Sequence, residues 1–378
     1  MRFKKLGALL VPAVLATTAL VTVPSGAAST VDYATCTSLA SCGGMNALVA
    51  AANTEGELNL VTLPQNWANY GTILYDFEQK YPKIVVQDDN PNGSSAYEVQ
   101  QVQAPTTPLS PDAVDVGTSH ATQNPTLWAQ YEVSNWSKIP SALKDPNGTW
   151  ADDYGGYVAI GCNSAKVKVC PTSFADLLKP AYKNEVGING DPTQTGAGFA
   201  AVYAAAIANG GSAANIQPGI DFFAKLKAAG NFVPVTAGLN TVQSGQTPII
   251  VWWDYLQKSE IQSSVPKWKI NIPTDGTYSG YYTQAIPKNS PDPAAARLWE
   301  EYLYSAIGQN LFLQGSTHPV EQVAMIVNKT INKKALAALP TLPKGVSPVS
   351  ATVDQQTAAA AVLTSNWASQ VGSVSSNG

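Results

Sequence analysis

The residues best suited to hold a small ligand follow a short apolar segment at 186–189. A turn rich in Gly and Thr at 190–196 leads there into a helical pattern at 197–208. The first N–H groups of a helix lack internal partners and, with the helix dipole, attract anions. The polar side chains that this turn adds are Thr193, Gln194 and Thr195. An ordinary capped helix start is the alternative interpretation.

A second polar turn ahead of a helical pattern lies at 88–95. Ser94 and Ser95 are its candidate ligand contacts, and simple N-capping would explain them equally well. In open α/β sheets, ligands bind on the turns that follow the carboxyl ends of strands. The two turns therefore predict two helix-start sites for an anionic group.

Trp252 and Asp254 lie where a predicted apolar strand at 248–253 ends. Side chains alternate along a strand, so these two are expected on the same face. The face of an indole beside a carboxylate suits an organic cation. The alternative is that one Trp of the pair 252–253 belongs to the core and that Asp254 caps the next helix.

Composition limits the classes of function. The chain has 378 residues, which favours two lobes. Charged residues make up 13% and the net charge is −4. No run of Lys or Arg follows the first residues, so we expect no binding to nucleic acid.

Residues 1–28 have the pattern of a secretory signal peptide, with a basic start, an apolar stretch and small residues before the expected cleavage site. We therefore expect an exported protein, extracellular or periplasmic and associated with the cell envelope. In an exported chain, four cysteines in two close pairs favour two disulfides. The expected pairs are Cys36 with Cys42 and Cys162 with Cys170.

Apolar segments that suit strands alternate with helical patterns along most of the chain, which predicts an α/β protein with mostly parallel sheets. The predicted strands are 57–63, 83–87, 113–116, 157–161, 186–189, 248–253, 268–272 and 280–286. The predicted helices are 45–53, 70–81, 96–103, 125–131, 173–178, 197–208, 218–229, 256–263, 293–314 and 354–368.

Several segments, in this order and spacing, resemble motifs of the extracellular solute-binding proteins of ABC importers. The branch is the one with ferric-iron, spermidine/putrescine, thiamine and aminoethylphosphonate binders. The matching segments are Asp-Phe-Glu-Gln-Lys-Tyr-Pro at 76–82, Pro-Asp-Ala-Val-Asp-Val at 111–116, Ala-Asp-Asp-Tyr-Gly-Gly-Tyr at 151–157, Pro-Thr-Ser-Phe-Ala-Asp-Leu-Leu at 171–178 and the turn and helix after 186, together with 293–309. The resemblance covers roughly residues 56–330.

The resemblance implies a type II periplasmic-binding-protein fold, with two α/β lobes, two crossing strands at the hinge and a ligand cleft between the lobes. Lobe 1 would comprise 56–156 plus 284–370, lobe 2 would comprise 157–283, and 29–55 would be an N-terminal extension. Such a protein closes on a solute by hinge motion and delivers it to an ABC permease. It acts as a monomer, needs no cofactor or metal and has no catalytic residues.

The resemblance also implies further contacts, because the family's equivalent positions reach the ligand. These positions are Trp67, Ser119, His120, Trp252 and Asp254, and on the second crossing strand one of two adjacent tyrosines, for which we take Tyr281. The tyrosine pair is typical of ferric-iron sites, but the family's iron ligands lie on a different segment, so iron is disfavoured. His120 has no second histidine near it, which argues against a metal site.

The class of solute stays open between an aminoalkylphosphonate, a sugar phosphate and a polyamine. Two alternatives remain for the function itself: a ferric-iron-binding member of the same family and a secreted hydrolase. Asp152 with Asp153, or Asp88 with Asp89, form acidic pairs that glycoside hydrolysis could use. Adjacent acids usually mark a solvated turn, and the sequence contains no recognisable hydrolase motif.

Overall fold

The computed structural model describes residues 31–375, and the predicted signal peptide lies outside them. Within this range the chain forms ten strands. They are β1 (Glu57–Val61), β2 (Val85–Asp89), β3 (Val114–Gly117), β4 (Ala151–Asn163), β5 (Val186–Ile188), β6 (Phe232–Thr236), β7 (Ile249–Trp253), β8 (Trp268–Asn271), β9 (Ser279–Ala285) and β10 (His318–Pro319).

Fourteen α-helices lie in the same range. They are α1 (Met45–Glu55), α2 (Tyr70–Lys80), α3 (Ser95–Gln103), α4 (Thr118–Gln123), α5 (Phe174–Leu177), α6 (Gly196–Ala208), α7 (Gln217–Ala228), α8 (Leu239–Ser244), α9 (Asp254–Leu256), α10 (Pro293–Leu303), α11 (Ala306–Gln314), α12 (Gln322–Val327), α13 (Lys333–Ala337) and α14 (Val353–Gln370). A π-helical turn at Gln257–Gln262 continues α9. No helix among the described residues is both long and apolar enough to cross a bilayer.

The strands form two sheets, one of β1 and β2 and a larger one in the order β3-β9-β4-β7-β5-β6, with β8 and β10 also pairing with β4. The prediction of mostly parallel sheets is wrong. Only β1–β2, β5–β6 and β5–β7 are parallel. The pairs that involve β4 or β9 are antiparallel, because these strands run through the middle of the molecule against their neighbours.

Strand β4 links the two halves of the large sheet. Its first half, from Ala151 to Tyr157, pairs with β9, and its second half, from Val158 to Cys162, pairs with β7. The change occurs between Tyr157 and Val158, just after Gly156, where a Cβ would lie 2.5 Å from Oδ1 of Asp254. Only glycine fits there, because that carboxylate accepts a hydrogen bond from the Tyr157 N–H at 2.9 Å. The predicted crossing strands are therefore present.

Three predicted elements differ in the structure, and one strand was not predicted. The helix expected at 293–314 is two helices, because Ser305 caps the start of α11 by accepting a bond from the Gly308 N–H. The segment 125–131 is not helical, since the Ala129 N–H instead bonds to the Ile286 carbonyl. Strand β6 was not predicted; it contains a proline, which is tolerated at the sheet edge that β6 occupies. The helix expected at 256–263 is mostly the π-helical turn.

Both predicted disulfides are confirmed, Cys36–Cys42 and Cys162–Cys170. The first lies in the N-terminal extension, which packs on α10. There Arg297 donates to the carbonyls of Ala34 and Cys36. At the other end of the extension, Glu55 accepts bonds from the first N–H groups of α10. The extension is thus an integral part of the fold.

The C-terminal segment crosses between the two halves. Near the start of α14, Thr357 contacts Thr122 of α4, and the Gln355 carbonyl accepts a bond from Tyr203 of α6. At its other end, Trp367 is 1% exposed and its ring centroid lies 5.6 Å from that of Phe223 in α7. The segment finishes as a bridge from Ser375 to β6.

We expect Trp367→Ala to destabilise the protein by about 3–5 kcal/mol, because it leaves a large cavity between α14 and α7. The measurement is the free energy of unfolding in denaturant. Ser365→Ala, an exposed change on the same helix, is the control and should have little effect. Equal stability of the two variants would show that α14 contributes little to the fold.

Candidate ligand-binding site

A cavity of about 220 Å³ lies at the carboxyl ends of β1, β3, β5 and β7. This is the edge at which open α/β sheets bind ligands. It is lined by Thr62, Pro64, Asn66, Trp67, Pro91, Asn92, Gly93, Ser94, Ser95, Glu98, Asp115, Asn189, Thr195, Gly196, Ala197, Thr236, Gly238, Trp252, Glu260 and Tyr282. The volume is below the range of roughly 300–1,000 Å³ of drug-sized sites, so the cavity suits a small solute.

Two helices begin at this cavity, α3 on one side and α6 on the other. Their capping side chains already have protein partners. Ser94 accepts from the Tyr97 N–H at 3.2 Å, and Ser95 accepts from the Gly117 N–H at 3.0 Å. Thr195 accepts from the Gly198 N–H at 3.1 Å and donates to the Asn189 carbonyl at 3.0 Å. These hydroxyl groups therefore organise the backbone around the cavity.

The two sides of the cavity touch each other. The Ala96 N–H of α3 donates to the Gln194 carbonyl, ahead of α6, at 3.3 Å. Deeper in, Gly117 and Gly196 meet so closely that a Cβ on Gly196 would lie 3.1 Å from the Cα of Gly117. The absence of side chains at both glycines is what permits this approach.

Three aromatic rings form one wall of the cavity. Trp67 meets Trp252 edge to face at 6.1 Å and Tyr282 at 5.5 Å between ring centroids. Nε1 of Trp67 donates to the hydroxyl of Tyr154 at 2.7 Å, which fixes the indole. The buried Nε1 of Trp252 has no hydrogen-bond partner among the described residues. An acceptor on a ligand would satisfy it.

Asp115 is a buried carboxyl group that lines the cavity from β3. Its Oδ2 accepts bonds from the hydroxyls of Tyr70 and Tyr154, at 2.9 and 2.8 Å. Its Oδ1 has no partner in the described part of the chain. Glu98 lies beside it and accepts from the Asp115 N–H at 3.0 Å. Burial raises the pKa of both groups, and their mutual repulsion raises that of Glu98 further.

Glu260 approaches from the opposite side, on the π-helical turn. Such turns add a residue to a helical turn and often occur at functional sites. Burial raises the pKa of Glu260 to about 8. No hydrogen bond or ion pair to its carboxyl group is present among residues 31–375.

The cavity thus contains acidic groups without basic ones. Among the described residues that line it, none is Lys, Arg or His. Lys179–Asp176 is the one ion pair between residues 31 and 375, and neither residue lines the cavity. Electrostatically, the site favours a positive group over a negative one.

The hinge beside the cavity contains two more buried acids. The register of β4 against β9 shifts between Asp152 and Gly155. Asp152 accepts bonds from the hydroxyls of Thr118 and Thr283. Asp153 accepts from the Gln284 amide at 2.9 Å. Burial raises the pKa of Asp152 from 3.8 to about 7 and that of Asp153 well above its usual value.

The structure brings five of the proposed contact residues to the cavity and leaves six away from its lining. Those at the lining are Trp67, Ser94, Ser95, Thr195 and Trp252. Those outside it are Ser119, His120, Thr193, Gln194, Asp254 and Tyr281. Asp254 is fully buried against β4, and Ser119 and Tyr281 face a separate small cavity behind the crossing strands.

The local structure around several of these residues differs from what the sequence predicted. Asp254 begins a helix, so strand alternation no longer governs where it points. Burial lowers the pKa of His120 to about 4, so that it is neutral at physiological pH. Thr193 donates to Asp191 within its own turn. Of the two adjacent tyrosines, Tyr282 is the one that lines the cavity.

Four titratable residues that line the cavity were not among the predicted contacts: Glu98, Asp115, Glu260 and Tyr282. Asp115 had a signal, because an acid inside an otherwise apolar strand is rarely buried without a purpose. Glu98 lies one helical turn after Ser94, so it shares the face that points to the cavity. Glu260 had no such signal, because its position depends on the π-helical turn.

Residues 121–341, more than half of the chain, match the sequence model of a family described as bacterial extracellular solute-binding protein.

The fold is similar to three solved structures, at identities that establish the fold alone. The periplasmic binding protein AfuA from Actinobacillus pleuropneumoniae, with fructose-6-phosphate bound, is 15% identical; the alignment covers 83% of this chain and 98% of that one, at a TM-score of 0.66. The structure described as the Atu4243–GABA receptor is 19% identical; the alignment covers 83% of this chain and 97% of that one, at a TM-score of 0.62. Iron-bound HitA from Pseudomonas aeruginosa is 17% identical, with 82% and 97% covered and a TM-score of 0.58. The predicted two-lobed fold class is confirmed.

We expect the protein to lose stability as the pH rises from about 4 to 7. The folded state keeps a proton on Asp152 that the unfolded chain releases in this window, so its contribution is full below pH 4 and lost above pH 7. Asp152→Asn should reduce the slope by up to about 1.4 kcal/mol per pH unit. The measurement is the unfolding free energy between pH 4 and 8. The exposed change Glu78→Gln should leave the slope unchanged, and an equal slope in Asp152→Asn would contradict the prediction.

Proposed function

We propose that this chain, which belongs to the bacterial extracellular solute-binding proteins, captures a small polar organic solute by hinge closure and delivers it to a membrane permease. In this proposal it is a type II member of the family and serves an ABC importer. The observation that carries the proposal is the small cavity whose opposite walls touch through α3 and α6. A solute held there would contact both sides and favour their approach. As an exported receptor, the protein would act as a monomer.

We assign residues 56–156 plus 284–370 to the first lobe and 157–283 to the second. The change of partner along β4, from β9 to β7, supports a boundary near Tyr157. Helix α14 belongs to the first lobe by this assignment, although Trp367 packs on α7 of the second. The helix therefore connects the lobes a third time, in addition to the crossing strands.

An organic solute fits the site better than ferric iron. Residues 31–375 contain no group of three or more His, Cys, Asp or Glu residues arranged to hold a metal ion. A tyrosine pair would also need both phenol oxygens at one point, whereas Tyr281 lies outside the lining to which Tyr282 contributes.

Binding without catalysis is also favoured over hydrolysis. Asp152 and Asp153, one of the two acidic pairs considered for a hydrolase, are almost fully buried and bonded to side chains of the hinge. Neither these two residues nor the other pair, Asp88 and Asp89, line the cavity. A glycosidase needs both carboxyl groups beside the bond to be cleaved.

The test is a thermal-shift screen of the mature protein with polyamines, aminoalkylphosphonates, sugar phosphates, thiamine, ferric citrate and oligosaccharides. A ligand at a thousand times its dissociation constant stabilises by about 4 kcal/mol. We expect one organic class to raise the melting temperature by several degrees. A folded protein that responds to none of them, or to ferric citrate alone, would contradict the proposal.

We expect Gly196→Ala to weaken binding of whichever solute the screen identifies. The new methyl group would lie 3.1 Å from the Gly117 Cα and 3.3 Å from the Tyr282 hydroxyl, so the two sides must separate slightly. Overpacking of this kind costs about 1–3 kcal/mol, or roughly a 5- to 100-fold loss of affinity. Calorimetry measures the affinity, and the melting temperature without solute is the control. Unchanged affinity would show that this contact plays no part in closure.

A further inference from the structure

We propose that the solute is a small organic cation whose ammonium group is held between Glu260 on one side of the cavity and Glu98 and Asp115 on the other. This inference rests on the proposed function. Of the three candidate solute classes, it favours the two that carry an amine, the polyamines and the aminoalkylphosphonates, over the sugar phosphates.

The charged groups that line the cavity favour a cation. Three carboxyl groups line it, and no basic side chain does so within the described part of the chain. A buried carboxylate without a counter-charge is strongly unfavourable, so such a group stays protonated or finds a cation. The raised pKa of Glu260, about 8, is that of a group without a counter-charge. A bound ammonium group would supply it.

Two buried polar atoms of residues that line the cavity are free to bond to a solute. Asp115 is 5% exposed, and its Oδ1 has no hydrogen-bond partner among residues 31–375. Trp252 is 2% exposed, and its Nε1 has no partner in the same range. Buried polar groups are almost always hydrogen-bonded, so a solute that reached these atoms would satisfy them. A solute with both a donor, for the carboxylate oxygen, and an acceptor, for the indole, would suit this site.

The aromatic wall supports the same ligand. Trp67 lies edge to face with both Trp252 and Tyr282, and all three rings line the cavity. Indole and phenol rings attract cations through their faces, and the attraction increases when water is excluded. The wall would therefore hold the alkyl chain and the charged end of an amine.

Phosphate fits less well, although two helices begin at the cavity. The capping hydroxyls of Ser94 and Thr195 already bond to backbone groups. A phosphate would also lie in a small cavity with three carboxyl groups and, among the described residues that line it, no Arg or Lys to offset their repulsion. A solute whose only charged group is a phosphate is therefore disfavoured, whereas one with an amine at the carboxyl groups is not.

The placement of the acids also links the cation to closure. Glu98 and Asp115 belong to α3 and β3, and Glu260 belongs to the π-helical turn on the opposite side. A cation between them would attract both sides at once, since acidic groups line the cavity from each side. Glu260 thus acts as a specificity-determining residue.

The test compares matched compounds by calorimetry on the mature protein. The amines are 1,4-diaminobutane, 4-aminobutanoate and 2-aminoethylphosphonate. Their amine-free counterparts are 1,4-butanediol, butanoate and ethylphosphonate, and glucose 6-phosphate is added as a sugar phosphate. We expect at least one amine to bind and its counterpart to bind at least 100-fold more weakly.

The outcomes separate this inference from the proposed function. If glucose 6-phosphate or an amine-free compound binds and no amine binds more tightly, the cation assignment is wrong and solute binding stands. If no compound in this set or in the wider screen binds, both fail.

A variant tests the role of Glu260 directly. Glu260→Gln removes the charge and keeps the shape, and we expect it to weaken binding of the amine about 10- to 100-fold. Glu98→Gln tests the opposite side and should act in the same direction. The exposed change Glu78→Gln carries the same loss of charge and should leave affinity unchanged. Equal affinity in Glu260→Gln and Glu78→Gln, with both folded, would overturn the assignment of Glu260.

Discussion

The pairing of β4 with β9 is the contact on which the rest of the structure depends. Strand β4 runs from one half of the large sheet to the other. The register shift of its pairing with β9, after Asp152, places two adjacent acids, Asp152 and Asp153, in the interior. A bulge of this kind bends the strand and changes where its side chains point. Asp152 is bound by threonines from two other elements, and Asp153 by Gln284 of β9. The same strands that join the halves therefore also fix the polar floor beside the cavity.

Hydroxyl and amide donors, rather than cations, stabilise the buried acids of this region. Tyr70 and Tyr154 both donate to Asp115, and Trp67 donates in turn to Tyr154. Such donors satisfy oxygen lone pairs but do not neutralise charge, so burial still raises the pKa of Asp115. An arginine at this place would have cancelled the charge and closed the site to a cation. The neutral donors hold the carboxyl group in position without supplying a counter-charge.

The two sides of the cavity can touch because Gly117 and Gly196 have no side chains. Their Cα atoms approach so closely that any side chain would hold the walls apart. Helix α14 adds a second restraint, because it contacts α4 near its start and α7 near its end. A motion that separated the two sides of the cavity would therefore also change the packing of α14 on α4 and α7.

The limits of prediction follow from the range of the interactions involved. The starts of α3 and α6 were predictable, because strand, turn and helix signals are local and Ser94 and Thr195 cap as expected. The path of β4 was predicted too short, since its pairing depends on β9, more than 100 residues away in sequence. The position of Glu260 at the cavity could not be predicted, because it depends on the π-helical turn. One extra residue in such a turn changes the direction of the side chains by about 100°, the angle per residue of a helix. That rotation distinguishes a solvated glutamate from one that faces the cavity, and no pattern of residue types records it.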